Sequence, residues 1–237
     1  MVRADLPGAA FAVANRSGQI APRPLRAVIF DCDGVLFDSW RANVAFYNAV
    51  LAVLGRPALD AEGERHAHVL SSPQLFATLF GDDAALIERA TVLAREVDFG
   101  PFYQWMLPAP GLHALLAELK TTYRLAMATN RGVTAGRVVE HFRLDQFLEL
   151  TVGIHDVARP KPSPDMIDKC IRHFCIAPDE AVYVGDTQSD REAAHAAGTH
   201  FVAVGEAVDA PLRIRELRDL PRMLAARWGA EEARRGT

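Results

Sequence analysis

The chain has 237 residues, a formal net charge of −4 and 50% apolar residues, enough for one α/β domain with an insertion or a small second domain. The mild acidity offers no basic face to nucleic acid, and no apolar run reaches the roughly 18 residues a membrane span needs. Three cysteines (Cys32, Cys170, Cys175) make no closed disulfide framework and fit a reducing, cytoplasmic setting, and the C-x4-C spacing of the last two lacks the further ligands of a zinc site.

Residues 1–24 are small, polar and proline-punctuated. Asp5 and Pro7 interrupt their start and no apolar segment follows, so they read as a disordered tail or a surface-packed extension rather than a signal peptide. Residues 26–30 (RAVIF) form a short buried strand that stops at Asp31-Cys32-Asp33-Gly34. Residues 39–54 have helical spacing, with Val44, Tyr47, Val50, Leu51 and Leu54 on one side and a stop at Gly55-Arg56-Pro57. Ser71-Ser72-Pro73 opens a second helix that closes at Gly81, and Asp82-Asp83 starts a long helical pattern running toward Met106. No strand pattern occurs between residues 38 and 108.

The pattern changes at Pro108-Ala109-Pro110-Gly111. A helix over 112–119 precedes a strand over 124–128, a helix over 134–142 and an apolar stretch over 147–152. Ser163, Pro164 and Asp165 give a helix start, with Ser at the N-cap and Pro at the first helical position. A strand over 181–184, a helix over 189–197, a strand over 200–204 and a last helix over 212–228 complete the chain. Strands alternating with helices predict an α/β fold, a Rossmann-like parallel sheet covered on both faces. An all-helical block interrupts it after the first strand.

In open α/β sheets, ligands bind beyond the carboxyl ends of the strands. Asp31 and Asp33 follow the first strand, Thr129 and Asn130 the next, and Asp186 and Asp190 the strand over 181–184. Lys161 precedes the helix opened by Ser163. It stands out because the 26 basic residues divide into 23 Arg and only 3 Lys (Lys120, Lys161, Lys169), and because Pro160 and Pro162 stiffen its loop. Crowded carboxylates cannot all stay ionised without compensation. A hard divalent cation such as Mg2+, which takes carboxylates together with phosphate oxygens, supplies it. Lysine, having only donors, would face the phosphate.

Four segments in this order resemble the haloacid dehalogenase-like (HAD) superfamily: AVIFDCDGVLFDS (27–39), AMATN (126–130), RPKPSPD (159–165) and YVGDTQSD (183–190). The resemblance implies a HAD core over 25–37 and 109–237 and a helical C1 cap over 38–108, after an N-terminal extension over 1–24. It also implies a Mg2+-dependent phosphatase that hydrolyses a small phosphomonoester. Asp31 would be the nucleophile forming an aspartyl-phosphate. Asp33 would protonate the leaving oxygen and then deprotonate water. Mg2+ would lie on the Asp31 carboxylate, the Asp33 carbonyl and the Asp186 carboxylate, with Asp190 supporting them. Thr129, the Asn130 N–H and Lys161 would bind the phosphoryl oxygens. Gly34 would allow the turn after Asp33.

Asp at position 33 favours phosphate chemistry over the dehalogenase branch, and the absence of Lys from residues 38–108 excludes the branch that uses a cap Schiff base. Arg41, Arg56, Arg65, His66 and His68 are the cap's candidate substrate readers, while Trp40, Phe46 and Tyr47 read as cap core and Cys32 as a small buried residue. A β-phosphoglucomutase-like phosphomutase is the nearest rival, followed by a non-catalytic phospho-signalling module. The expected partner is a small phosphorylated metabolite, with no nucleic acid or membrane, and the protein would be a cytoplasmic monomer or homodimer. No GxxxxGK[ST], GxSxG or HExxH sequence occurs.

Overall fold

A computed structural model describes residues 23–229, so almost all of the expected N-terminal extension lies outside the described residues. The chain begins with β1 (Ala27–Phe30) and β2 (Phe37–Asp38), followed by α1 (Trp40–Val53), α2 (Ala61–Val69), α3 (Ser72–Phe80) and α4 (Ala84–Glu96). A 3-10 turn (Gly100–Trp105) leads to β3 (Leu107–Pro108), α5 (Leu112–Lys120), β4 (Arg124–Ala128), α6 (Thr134–His141) and β5 (Leu150–Val152). Next come α7 (Asp165–Phe174), β6 (Ala181–Gly185), α8 (Gln188–Ala197), β7 (His200–Val204), β8 (Arg213–Ile214) and α9 (Leu220–Leu224).

Six strands form one parallel sheet in the order β5-β4-β1-β6-β7-β8. β1 is central and buried on both faces, as its unbroken apolar run requires. Alternation along it sorts the two sides of the core. Ala27 and Ile29 pack with Met166, Ile167 and Phe174 of α7 and Ala193 of α8. Val28 and Phe30 pack with Leu116 of α5, Val138 of α6 and Leu220 of α9. The second cluster continues into the inserted helices through Phe46, Phe76 and Phe99, so cap and core share one apolar body.

Four expectations need correction. The segment 38–108 does begin and end on strands, because Phe37↔Pro108 and Asp38↔Leu107 make an antiparallel ribbon where the chain enters and leaves the cap. Two residues are too few to give a period. The long pattern after Asp82 divides into α4 and the 3-10 turn at Pro101, a residue that breaks helical hydrogen bonding. The expected last helix is broken: Arg213–Ile214 joins the sheet edge beside β7, a 3-10 turn follows, and α9 starts only next to Pro221. α2 is an addition that hydrophobic spacing did not give. Its sequence AEGERHAHV is polar, and what starts it is Asp60, whose side chain accepts from the Glu62 and Gly63 amides. At α7 the N-cap falls on Pro164, one residue after Ser163.

Candidate active site

The three long central strands end at one edge of the sheet, and the loops beyond them carry the residues singled out in sequence. Asp31 is nearly buried, with its amide on the Val184 carbonyl of β6 at 2.9 Å. Its Oδ1 accepts from the Cys32 amide at 2.7 Å and faces the Lys161 ammonium at 2.9 Å. Lys161 also donates to Asp190 Oδ1 at 2.7 Å and to the Tyr183 hydroxyl at 3.0 Å. The Tyr183 hydroxyl in turn donates to the Ala128 carbonyl at 2.7 Å. Burial alone would drag the ammonium down, but Asp190 and Asp31 outweigh it and hold it above its ordinary value.

Asn130 does something not expected of it. Its side-chain Oδ1 accepts from the Lys161 amide at 3.0 Å and its Nδ2 donates to the Lys161 carbonyl at 3.3 Å, so it fixes the lysine's loop. Thr129 is buried, and its hydroxyl accepts from the Arg131 amide at 3.2 Å. Asp190 is fully buried and saturated. Besides the Lys161 contact, its Oδ2 accepts from the Asp186 and Thr187 amides and from the Thr187 hydroxyl at 2.6 Å.

Asp31, Asp186 and Asp190 bring carboxylate oxygens within 4.8 Å of one another. Since Asp190 is already engaged, Asp31 and Asp186 are the carboxylates with capacity for a cation. Asp186 Oδ1 is buried without a hydrogen-bond partner. Such an oxygen costs about 1–3 kcal/mol unless something polar meets it, and this orphan fits a hard cation. Burial, and then the charge of Asp190, raise the Asp186 carboxyl above its ordinary value against the pull of His68. Burial and the carboxylates of Asp190, Asp186 and Asp33 push Asp31 up to about 8 against the pull of Lys161. A divalent charge here would favour the ionised form of both.

Gly34 has φ +75° and lies against Asp186, where an added Cβ would come within 2.0 Å of Oδ2. Gly34→Ala should therefore lower unfolding stability by roughly 2 kcal/mol or more, combining left-handed strain with overpacking. An unchanged denaturation midpoint would show that Asp186 yields freely.

Asp33 stands outside the group of Asp31, Asp186 and Asp190. Arg131 grips it with two bonds, Nε to Oδ2 at 2.8 Å and a terminal nitrogen to Oδ1 at 2.5 Å. The Ser39 hydroxyl and Asn43 Nδ2 also donate to Oδ1. Burial works to raise the Asp33 carboxyl, but the charge and bonds of Arg131, with Ser39, hold it below its ordinary 3.8. Arg131 further donates to Asn43 Oδ1 at 2.8 Å and lies over the Phe99 ring, tying the loop after β4 to the cap. Sequence reading missed Arg131, Asn43 and Ser39, although Arg131 directly follows the AMATN segment.

The pocket between cap and core is lined by Asp31, Asp33, Thr129, Asn130, Arg131 and Lys161 from below and by Tyr47, His68, Ser72, Arg95 and Phe99 from above. Of the five expected cap readers, His68 alone lines it. Arg41, Arg56 and Arg65 are exposed, and Arg95 is the cap arginine on the pocket. Phe46 and Tyr47 are cap core as expected and line the pocket as well, while Trp40 is half-buried beside His68. Cys32 and Cys170 are buried and Cys175 is exposed.

Comparison with known proteins agrees with this architecture. A protein named phosphoglycolate phosphatase from Pseudomonas putida is 29% identical over 196 residues, covering 78% of this chain and 72% of that protein. Tyrosine-protein kinase PtkA of Mycobacterium tuberculosis is 31% identical over 185 residues, and the match spans 75% of this chain but only 61% of the mycobacterial protein. The crystal structure of a HAD-superfamily hydrolase, subfamily IA, variant 1, from Geobacter sulfurreducens superposes with a TM-score of 0.68 at 34% identity, covering 84% of this chain and 96% of that one. The family profile described as haloacid dehalogenase-like hydrolase matches residues 28–204, and with the fold and the strand-end acids the chain belongs to that family.

Proposed function

We propose that the protein is a Mg2+-dependent phosphatase that hydrolyses a small phosphomonoester through an aspartyl-phosphate on Asp31. The observation that carries this reading is the pairing of Asp31 with buried Lys161 at 2.9 Å, beside Asp186 with its unpartnered Oδ1. A nucleophile, a fixed positive charge and an oxygen for a cation then share one strand-end site. The P. putida relative's name supports the substrate class.

Mg2+, held by Asp31 and Asp186 and by the carbonyl of Asp33, would neutralise the transferring phosphoryl group and keep Asp31 ionised. An Asp31 oxygen attacks phosphorus and the bond to the leaving oxygen breaks. Asp33, once free of Arg131 and after taking up a proton, gives that proton to the leaving oxygen. Water then attacks the aspartyl-phosphate and returns a proton to Asp33, so phosphate leaves and the enzyme is restored. Lys161 and Thr129 hold the phosphoryl oxygens, Asn130 and Asp190 hold Lys161, and Asp33 must first release Arg131. Phosphoryl transfer demands mainly this positioning and charge neutralisation.

An aspartyl-phosphate can equally pass its phosphoryl group to a sugar hydroxyl or to a protein tyrosine. A panel of small phosphate esters with Mg2+, with and without EDTA, tests the reading. Release of inorganic phosphate that EDTA abolishes supports hydrolysis. An isomerised sugar phosphate without net phosphate release would make the protein a mutase. Phosphotyrosine formed on a protein, without phosphate release, would favour the kinase-like use.

A further inference from the structure

Among the described residues, five Asp, Lys or Arg side chains line the pocket between cap and core. Four of them pair off on the core side, Lys161 with Asp31 at 2.9 Å and Arg131 with Asp33 at 2.5 Å. The fifth is Arg95 of α4, exposed and in no ion pair among the described residues. Thr91 and Val92 stand four and three residues before it, so no acid of the preceding turn holds it. Asp98, three residues on, accepts from the Gly100 amide at 3.0 Å. Thr91, Ala94 and Arg95 share the helix face that lines the pocket, and the Thr91 hydroxyl is spent on the Ile87 carbonyl at 2.8 Å. The Tyr47 and Ser72 hydroxyls, from α1 and α3, lie 2.9 Å apart, so one proton of that pair is left for a ligand. The cap wall thus offers donors and a guanidinium, and no Asp or Glu of the cap lines it.

We propose that Arg95 determines substrate specificity by reading an anionic group, a carboxylate or a second phosphate, on the leaving alcohol. This rests on the phosphatase reading of the site. The phosphoryl end belongs to Asp31, Lys161 and Thr129 on the core side, so the leaving group meets the wall that the cap supplies. A guanidinium matches either anion with two parallel bonds, and the spare hydroxyl proton of Tyr47 and Ser72 adds a neutral donor on the same wall. With no acid there, a cationic leaving group meets only repulsion, and an uncharged one gains nothing from Arg95. Arg95 touches neither phosphorus nor the breaking bond. It therefore binds ground state and transition state alike, and its contribution falls on KM rather than on kcat.

The test follows phosphate release with Mg2+ and compares each substrate with itself across variants. 2-Phosphoglycolate, fructose 1,6-bisphosphate, ethyl phosphate and phosphocholine place a carboxylate, a phosphate, no charge and a cation on the leaving group. Arg95→Gln should raise KM about tenfold for at least one of the two anionic esters at nearly constant kcat, the scale of a hydrogen bond to a charged group. Its effect on ethyl phosphate should be several-fold smaller. Which anionic ester responds separates carboxylate from phosphate. Arg95→Lys should recover part of the loss, because it keeps the charge without the planar fork. Arg95→Glu should raise KM for the anionic ester further and lower it for phosphocholine. Arg89→Gln, which removes an exposed arginine of α4 away from the pocket, should move none of these values. An equal loss on every ester with Arg95→Gln, no loss on any, or an equal effect from Arg89→Gln overturns the role of Arg95 alone. So does wild-type turnover confined to the uncharged and cationic esters. A wild type that releases phosphate from none of the four overturns the phosphatase reading and this inference with it.

Discussion

Asp31→Asn should lower kcat for p-nitrophenyl phosphate with Mg2+ by about 10^4-fold or more, the scale seen when a nucleophile is removed. Asparagine fills the same space but forms no acyl-phosphate. The fold should survive the change, because Lys161 keeps Asp190 at 2.7 Å and Tyr183 at 3.0 Å. Stability should even hold or rise at neutral pH. Burial first, with Asp190, Asp186 and Asp33, pushes the Asp31 carboxyl up to about 8 from an ordinary 3.8, so its favourable contribution is fullest below pH 4 and fades as pH rises toward 8. The variant carries no such dependence at this position. Its melting temperature relative to wild type should therefore climb between pH 4 and 8. Activity retained in a folded variant would remove Asp31 from the nucleophile's role, whereas activity and fold lost together would make its role structural.

How much of this was legible in sequence depends on range. β4 and β7 fall on the residues read for them, since each is a short apolar run bounded by turn chemistry. Asp31, Thr129, Lys161, Asp186 and Asp190 were legible because a parallel sheet sends every strand end to one edge. The partners were not. Arg131 meets Asp33 across 98 positions, and Asn43 meets Arg131 across 88, so no local spacing records either contact. α2 escaped because its apolar positions are too few for a helical period, and it delivers His68 to the pocket. The broken C-terminal segment shows the opposite failure, where apolar spacing over 212–228 resembled a helix but pairing of Arg213–Ile214 with β7 took precedence.

Arg131→Met should cost about 3–5 kcal/mol of unfolding free energy, the loss typical when one partner of a buried ion pair is removed. For a chain of this size that is a fall in melting temperature of roughly 10 °C. Both charges are nearly out of solvent, with side-chain exposures of 6% for Arg131 and 14% for Asp33. Methionine keeps part of the packing on Phe99 but leaves the Asp33 carboxylate with only Ser39 and Asn43 as donors. The pH dependence identifies the cause. In the wild type Arg131 holds Asp33 below 3.8, so the pair stabilises the fold above about pH 4 and the contribution is lost as pH falls through the lowered value. Without Arg131, burial prevails and the carboxyl rises, so the variant carries a penalty at neutral pH that vanishes on protonation. The gap in melting temperature should be widest at pH 7 and narrow steadily toward pH 4. A gap independent of pH would mean that Arg131 acts through its packing between core loop and cap, and that Asp33 does not need it as a counter-ion.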